Sequence, residues 1–278
     1  SEFLWQEGHT VFETEQEAHN DAIEMLDCYY DFITNDLAMP GIKGEKTEEE
    51  RFPGAKNTYT IETMMQDGKA LQAGTSHYLG QTFAKSFNIK FSGRDNQEHI
   101  AHTASWGVST RLIGGIILTH ADDDGLVLPP HIAPYEVVII PVLRDDSNKE
   151  AILNYCAEVA NKLKGLNLRV FLDKSDESTS NKIWGWIKKG APIRLEIGGN
   201  EVASANLTLS RRDKGKEGKM VLALTELDKI PALLEDINNN IRQKATKYRD
   251  EHITKVSTLA EIAELFAKNY AGFTLIEK

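Results

Sequence analysis

Apolar residues first recur at helical steps over residues 14–38, where Ala18, Ala22, Leu26, Tyr30 and Ile33 share one side of a 3.6-residue period. Thr14 and Glu17 have the spacing of a capping box at its start, and Pro40-Gly41 ends it. Residues 41–57 are polar, with Gly44, Pro53 and Gly54, and read as a loop. Thr58 to Met65 reads as a strand and Ser76 to Phe87 as a helix. Ser105 to His120 starts like a strand and passes into the apolar run Leu112 to Leu118. Pro129, Pro130 and Pro134 then mark a boundary, where neither helix nor ladder continues easily.

Beyond that boundary strands and helices alternate. Glu136 to Pro141 is an apolar strand. Ser147 and Glu150 cap a helix with Ile152, Tyr155, Val159 and Leu163 on one face. Leu168 to Leu172 is a strand, and Asn181 to Lys189 is a helix closed by Gly190. Pro192 to Ile197, Val202 to Leu209 and Met220 to Leu224 are strands, and Leu227 to about Lys247 is a long helix. A charged stretch and a short helix over 259–268 follow. The pattern predicts an α/β (α+β) chain divided at 1–134, 135–247 and 248–278, the middle part a small mixed α/β domain.

Composition narrows this little. The formal net charge of −10 opposes nonspecific coating of nucleic acid, since phosphates attract Lys and Arg, but it leaves room for a local basic site at Arg211-Arg212-Asp213-Lys214-Gly215-Lys216. No run reaches the roughly 18 apolar residues of a membrane span. The two cysteines, Cys28 and Cys156, form no disulfide framework and no metal knuckle, which favours a reducing compartment. The chain starts Ser1-Glu2-Phe3 with neither Met nor a secretory leader, and this abrupt start reads as that of a fragment.

Three segments carry chemistry. On a strand, Phe3, Trp5, Glu7 and His9 share one face: two aromatics, an acid and an imidazole. That is what a mixed edge strand shows, and also what the floor of a pocket for a cationic amine shows. In Gln72-Ala73-Gly74-Thr75-Ser76-His77 the glycine allows close backbone approach and its neighbours supply donors, although Thr75 or Ser76 could equally cap a helix. In Ser105-Trp106-Gly107-Val108-Ser109-Thr110-Arg111 an arginine at the edge of a small-residue turn can clamp phosphate or stack on a base, or be an ordinary surface arginine. Asp122-Asp123-Asp124 reads as a solvated turn rather than a metal site. His19, His99, His120, His131 and His252 read as structural.

Together, and in this order, the segments resemble the end of motif 2, the proline-pocket segment and motif 3 of class II prolyl-tRNA synthetases. Gly125-Leu126-Val127-Leu128-Pro129-Pro130 resembles the exit from their catalytic domain. The resemblance implies part of an antiparallel-sheet catalytic domain followed by a mixed five-stranded anticodon-binding domain. It implies activation of L-proline with ATP and Mg²⁺, transfer to tRNA(Pro), a cytoplasmic location and a homodimer in the full-length protein. Residue by residue, it places Phe3, Gln72, Thr75, Ser109 and Arg111 on ATP, with Gln72 also near Mg²⁺. Trp5, Glu7, His9, His77, Ser105 and Gly107 fall around proline. His9 and His77 outside this context would read as structural.

Pro192 to Gly198 resembles the characteristic strand of the anticodon-binding domain, but the family's Gly-Pro-Arg-Asp continuation is here Gly198-Gly199-Asn200-Glu201. Arg194, Glu196, Arg211, Arg212 and Lys214 are the candidate anticodon contacts, since arginine reads guanine edges and lysine meets phosphate. A solvated hairpin loop is the other reading of the basic run. Between motifs 2 and 3 there is no room for an inserted editing domain, which implies the archaeal- and eukaryote-like type. That type often ends in a Cys-rich zinc domain, for which the cysteines are absent and no zinc is expected. Motif 1, the motif 2 arginine and the residues that grip proline's ammonium would lie upstream of Ser1, so this chain alone is expected to be inactive. The alternative is a noncatalytic tRNA-binding or regulatory paralogue.

Overall fold

The computed structural model describes residues 2–143 and 148–276. Strand β1 (Trp5–Phe12) leads into helix α1 (Glu15–Asp31), which ends in a π-helical turn, Phe32–Asp36. Thr14 caps α1 through a complete capping box with Glu17. Then come β2 (Gly41–Glu45), β3 (Asn57–Met64), β4 (Ala70–Gly80), α2 (Thr82–Ser86), the hairpin of β5 (Lys90–Ser92) and β6 (Glu98–Ile100), β7 (His102–Ser109) and α3 (Arg111–His120). Strands β1, β7, β4, β3 and β2, in that order, make one antiparallel sheet.

The sheet has a covered face and an open one. Ala18, Ala22, Leu26 and Tyr29 of α1 are buried, and Ser76 Oγ donates to the Ala22 carbonyl at 2.6 Å, tying α1 to β4. Side chains alternate across a strand, so Gly8, Gly74, Ser76 and Trp106 sit on the α1 side. Gly8 is dictated by Trp106: a Cβ there would come within 2.4 Å of the indole ring.

Several local expectations need correction. Ser76 to Phe87 is not one helix. Strand β4 runs on to Gly80, and only Thr82–Ser86 is helical, so neither Thr75 nor Ser76 is a helix cap. Pairing decided this: β4 lies between β3 and β7, and Ser76 bonds to α1. Residues 41–57 are not loop throughout, because Gly41–Glu45 forms the edge strand β2.

The chain continues with β8 (Val137–Pro141), α4 (Lys149–Gly165), β9 (Val170–Leu172), α5 (Thr179–Lys188), β10 (Ile193–Ile197), α6 (Gly199–Ala203), β11 (Asn206–Arg211), β12 (Lys219–Ala223), a 3-10 segment (Leu224–Lys229) and α7 (Ile230–Glu251). The expected strand from Val202 begins instead as α6. Ala205, at φ 51°, turns the chain into β11. The expected cap Ser147 lies outside the described residues, and Asn148 stands at the cap position of α4.

Strands β12, β11, β10, β8 and β9 form a second sheet, in that order. It is mixed: β8 pairs parallel with both β9 and β10, while β10–β11 and β11–β12 are antiparallel. Its core joins Ile139, Ile193, Leu195, Ile197 and Leu209 to Val159 and Leu163 of α4 and Ile230, Leu234 and Ile237 of α7. The other face packs Val138 and Ile140 on Trp186 of α5. Strands buried on both faces read as continuous apolar runs, which is why Val137 to Ile140 was legible. A parallel pair, β13 (Ile253–Val256) and β14 (Phe273–Ile276), flanks α8 (Leu259–Ala267).

The chain gathers into two compact units. One holds the residues through Asn35, Met39–Thr119 and those from Thr246 onward, and the other holds Asp36–Ala38 and His120–Ala245. Residues from Thr246 onward group with the first unit. Among the described residues no helix is long and apolar enough to cross a membrane.

Candidate active site

The open face of the first sheet carries a cleft of about 590 Å³. Three neighbouring strands, β1, β7 and β4, supply its floor. Trp5 pairs with Ser109 and Glu7 with Gly107, while Gly107 pairs with Thr75 and Ser105 with His77. The residues singled out in three distant segments thereby come together. Phe3, Trp5, Glu7, Gln72, Thr75, His77, Ser105, Gly107, Ser109 and Arg111 all line the cleft.

Gln72 reaches this face through an irregularity. The β3–β4 register shifts between Ile61 and Glu62, whose partners are Gly74 and Gln72, so Ala73 is left unpaired. One extra residue reverses the alternation, and Gln72 joins Thr75 and His77 rather than Gly74 and Ser76.

His9 falls elsewhere. It keeps the parity of Glu7 and contacts it, Nε2 to Oε1, at 3.2 Å. Yet it lines an adjoining apolar cavity of about 240 Å³ with Phe52, Leu79, Phe83 and Phe87. Glu7, Phe52 and Ser105 border both spaces.

The cleft also has a wall that sequence reasoning passed over. Lys46, Glu50, Arg51 and Phe52 come from the segment after β2, read as solvated loop, and Thr58 from β3. Lys46 Nζ donates to Gln72 Oε1 at 2.5 Å. Arg111 Nη1 donates to the Gln72 backbone carbonyl at 3.3 Å, and Arg111 N–H to Ser109 Oγ at 3.2 Å. Phe52 packs against the His77 ring at 4.9 Å between centroids. Thr58 stands opposite His77 in the ladder, a pairing that only the folded sheet shows.

Cations gather at the Gln72 end, which suits an anion. The Gln72 amide oxygen already accepts from an ammonium, and among the described residues no group of three or more His, Cys, Asp or Glu could hold an ion. Glu7 supplies a carboxylate to the same cleft, as does Glu50. Burial, aided by Lys46 and opposed by Glu7, pushes the His77 imidazole down to about 4, so it is neutral at physiological pH.

The second-unit candidates are dispersed. Arg211 and Arg212 are buried in internal pairs: Arg211 with Asp213 and Asp236, and Arg212 forked onto Asp122, at 2.7 and 2.5 Å, with a further bond to the Ile187 carbonyl. The Arg212 hydrogen bonds hold the Asp122 carboxyl below its usual range. Arg194 is buried with Nε and Nη1 unpartnered, and burial lowers its affinity for a proton. Lys214 is exposed. Glu196, bridged by Lys219 at 3.7 Å, lines a polar cavity of about 310 Å³ with Asn148, Asn200 and Glu201.

Comparison with known proteins agrees with this architecture. Residues 136–230, from the start of β8 to the start of α7, match the family model described as Anticodon binding domain. The chain as a whole is similar to bacterial proline–tRNA ligases. It is 49% identical over 273 residues to that of Akkermansia muciniphila, covering 96% of this chain and 54% of the relative. It is 47% identical to that of Erythrobacter litoralis, covering 94% and 53%, and 45% identical to that of Bdellovibrio bacteriovorus, covering 96% and 55%. The chain thus spans about half the length of the curated relatives it matches.

Proposed function

We propose that the chain carries the substrate cleft and the anticodon-binding domain of a class II proline–tRNA ligase, an enzyme that condenses L-proline with ATP to prolyl-adenylate and esterifies tRNA(Pro). One observation carries the reading: three segments far apart in sequence meet in one cleft that holds the Glu7 carboxylate together with the cations Lys46 and Arg111 gathered on Gln72. That set of charges fits an amino acid whose ammonium faces Glu7 and whose carboxylate faces a polyphosphate.

Adenylation is an in-line attack of one anion on another. The protein's task is alignment and charge neutralisation, and no general base is required because the amino-acid carboxylate is already ionised. Phe3 would stack on adenine. Arg111, anchored by Gln72 and Ser109, would face the nucleotide. Trp5 would wall the pyrrolidine ring, with Ser105 and Gly107 beneath it, and Thr75 and Ser109 would bond ATP. Magnesium enters this proposal as the companion of the triphosphate, without a protein-held site.

For tRNA, the exposed Lys214 and the cavity-lining Glu196 are the proposed contacts. Arg211 and Arg212 act through the fold that presents them. Between β1 and β7 the chain adds only strands of the same sheet, helices α1 and α2 and the short β5–β6 hairpin, which supports the archaeal- and eukaryote-like arrangement in a chain whose matched relatives are bacterial. A homodimer and a cytoplasmic location go with the reading. The presence of Phe3, Glu7, His77 and Arg111 in one cleft favours a ligase over a noncatalytic paralogue, which needs no complete pocket.

The test is ATP–pyrophosphate exchange driven by each amino acid in turn, on a chain extended to the relatives' full length. Exchange with proline alone is expected, and this 278-residue chain should show none. Exchange driven by another amino acid, or by none, would overturn the proposal.

A further inference from the structure

The hydrogen bonds behind His77 form a short directional relay. The Phe52 N–H donates to Thr58 Oγ1 at 3.0 Å, and Thr58 Oγ1 lies 3.0 Å from His77 Nδ1. Thr58 is 2% exposed, so water does not share the hydroxyl. A hydroxyl has one proton to give. Among the described residues Nδ1 is the only acceptor within reach of it. If Nδ1 carried the ring proton, the hydroxyl would receive two donors and its own proton would be stranded in a dry site, a lost hydrogen bond. The satisfied arrangement runs one way, from Phe52 N–H to Thr58 Oγ1–H to Nδ1.

We infer that Thr58 is a positioning residue that holds His77 in the Nε2–H tautomer, so that a neutral N–H donor is presented to the cleft and selects an acyl oxygen of the substrate. Nε2 has no protein partner among the described residues, and His77 lines the cleft. Phe52 packs on the ring and keeps its plane fixed. Burial and Lys46 keep the imidazole uncharged. A neutral donor can hold an oxygen without competing with Glu7 for the ammonium, as an imidazolium would by pairing with that carboxylate. The ligand half of this inference rests on the reading of the cleft as an amino-acid site, whereas the tautomer half does not.

Long-range ¹H–¹⁵N correlation spectra of the histidine-labelled chain read the tautomer directly, with His77 identified by its absence in His77→Phe. A single Nε2–H species is expected in the wild type and in Thr58→Ser. Thr58→Val should lose it, giving Nδ1–H or a mixture of the two. An Nδ1–H wild type, or a Thr58→Val spectrum unchanged from wild type, would overturn the inference. If Thr58→Val fails to fold, the wild-type and Thr58→Ser spectra still decide it. In the full-length protein Thr58→Val should raise the KM for proline several-fold and leave that for ATP nearly unchanged, with Thr58→Ser restoring it. Equal changes in both would overturn the selective role. Because the spectra are recorded without substrate, their failure leaves the ligase proposal standing, and failure of exchange leaves the tautomer standing.

Discussion

His77 and His120 are both held near a pKa of about 4 by burial, against 6.5 when exposed. His120 Nε2 lies 2.9 Å from the Leu37 carbonyl, so that nitrogen carries the proton and donates it. The unfolded chain takes up protons between these values and the folded chain does not, so stability is complete above about pH 6.5 and is lost as pH falls toward about 4. The urea midpoint should therefore drop between pH 7 and pH 4.5. His120→Gln, which can still donate to the Leu37 carbonyl, should show a smaller drop, and an identical drop would refute the assignment. Arg211 gives a prediction of another kind. Asp213, its partner, is 1% exposed. Arg211→Met would leave that buried carboxylate uncompensated in charge, with the Asn240 amide still donating to it, at a cost of about 3–5 kcal/mol, read as a shift in chemical denaturation, whereas Lys214→Met should leave the midpoint alone. At this scale the chemical types were legible in the sequence but their commitments were not. Arg211 and Lys214 look alike in a basic run, and only the carboxylates folded against one of them separate the two.

Elements were legible where one periodicity ruled without competition. Helix α1 has a cap and an apolar stripe; β8 has a run of β-branched residues. Strand β4 misled because Ser76-His77-Tyr78-Leu79 carries no strand alternation of its own; its state comes from two neighbouring strands distant in sequence. The bulge at Ala73 was beyond sequence reading for the same reason, although the grouping of Gln72 with Thr75 and His77 depends on it. Between β1 and β7, Gly8→Val would force the Trp106 ring aside, and overpacking of this kind costs about 1–3 kcal/mol. Denaturation should detect the loss, accompanied by a change in Trp106 fluorescence. An unperturbed midpoint would contradict the packing described.

Across the whole molecule burial is uneven. Strands β8 and β10 lie inside the second sheet and are almost entirely buried, while β14 is mostly exposed and α8 has no buried residue. Amide hydrogen exchange should therefore be slowest in β8 and β10 and fastest in β14 and α8. Uniform protection would be inconsistent with this layout. The two compact units divide at His120, ahead of the prolines Pro129, Pro130 and Pro134, and nothing local signalled the return of residues after Thr246 to the first unit, since no local pattern encodes which distant partner a segment will meet. That return sets an order of events during synthesis. The second unit is nearly continuous in sequence, from His120 to Ala245, and can close as soon as it leaves the ribosome. The unit that bears the cleft receives its last segment, from Thr246 onward, only after the second unit has been made, so it is the later of the two to reach its full set of contacts.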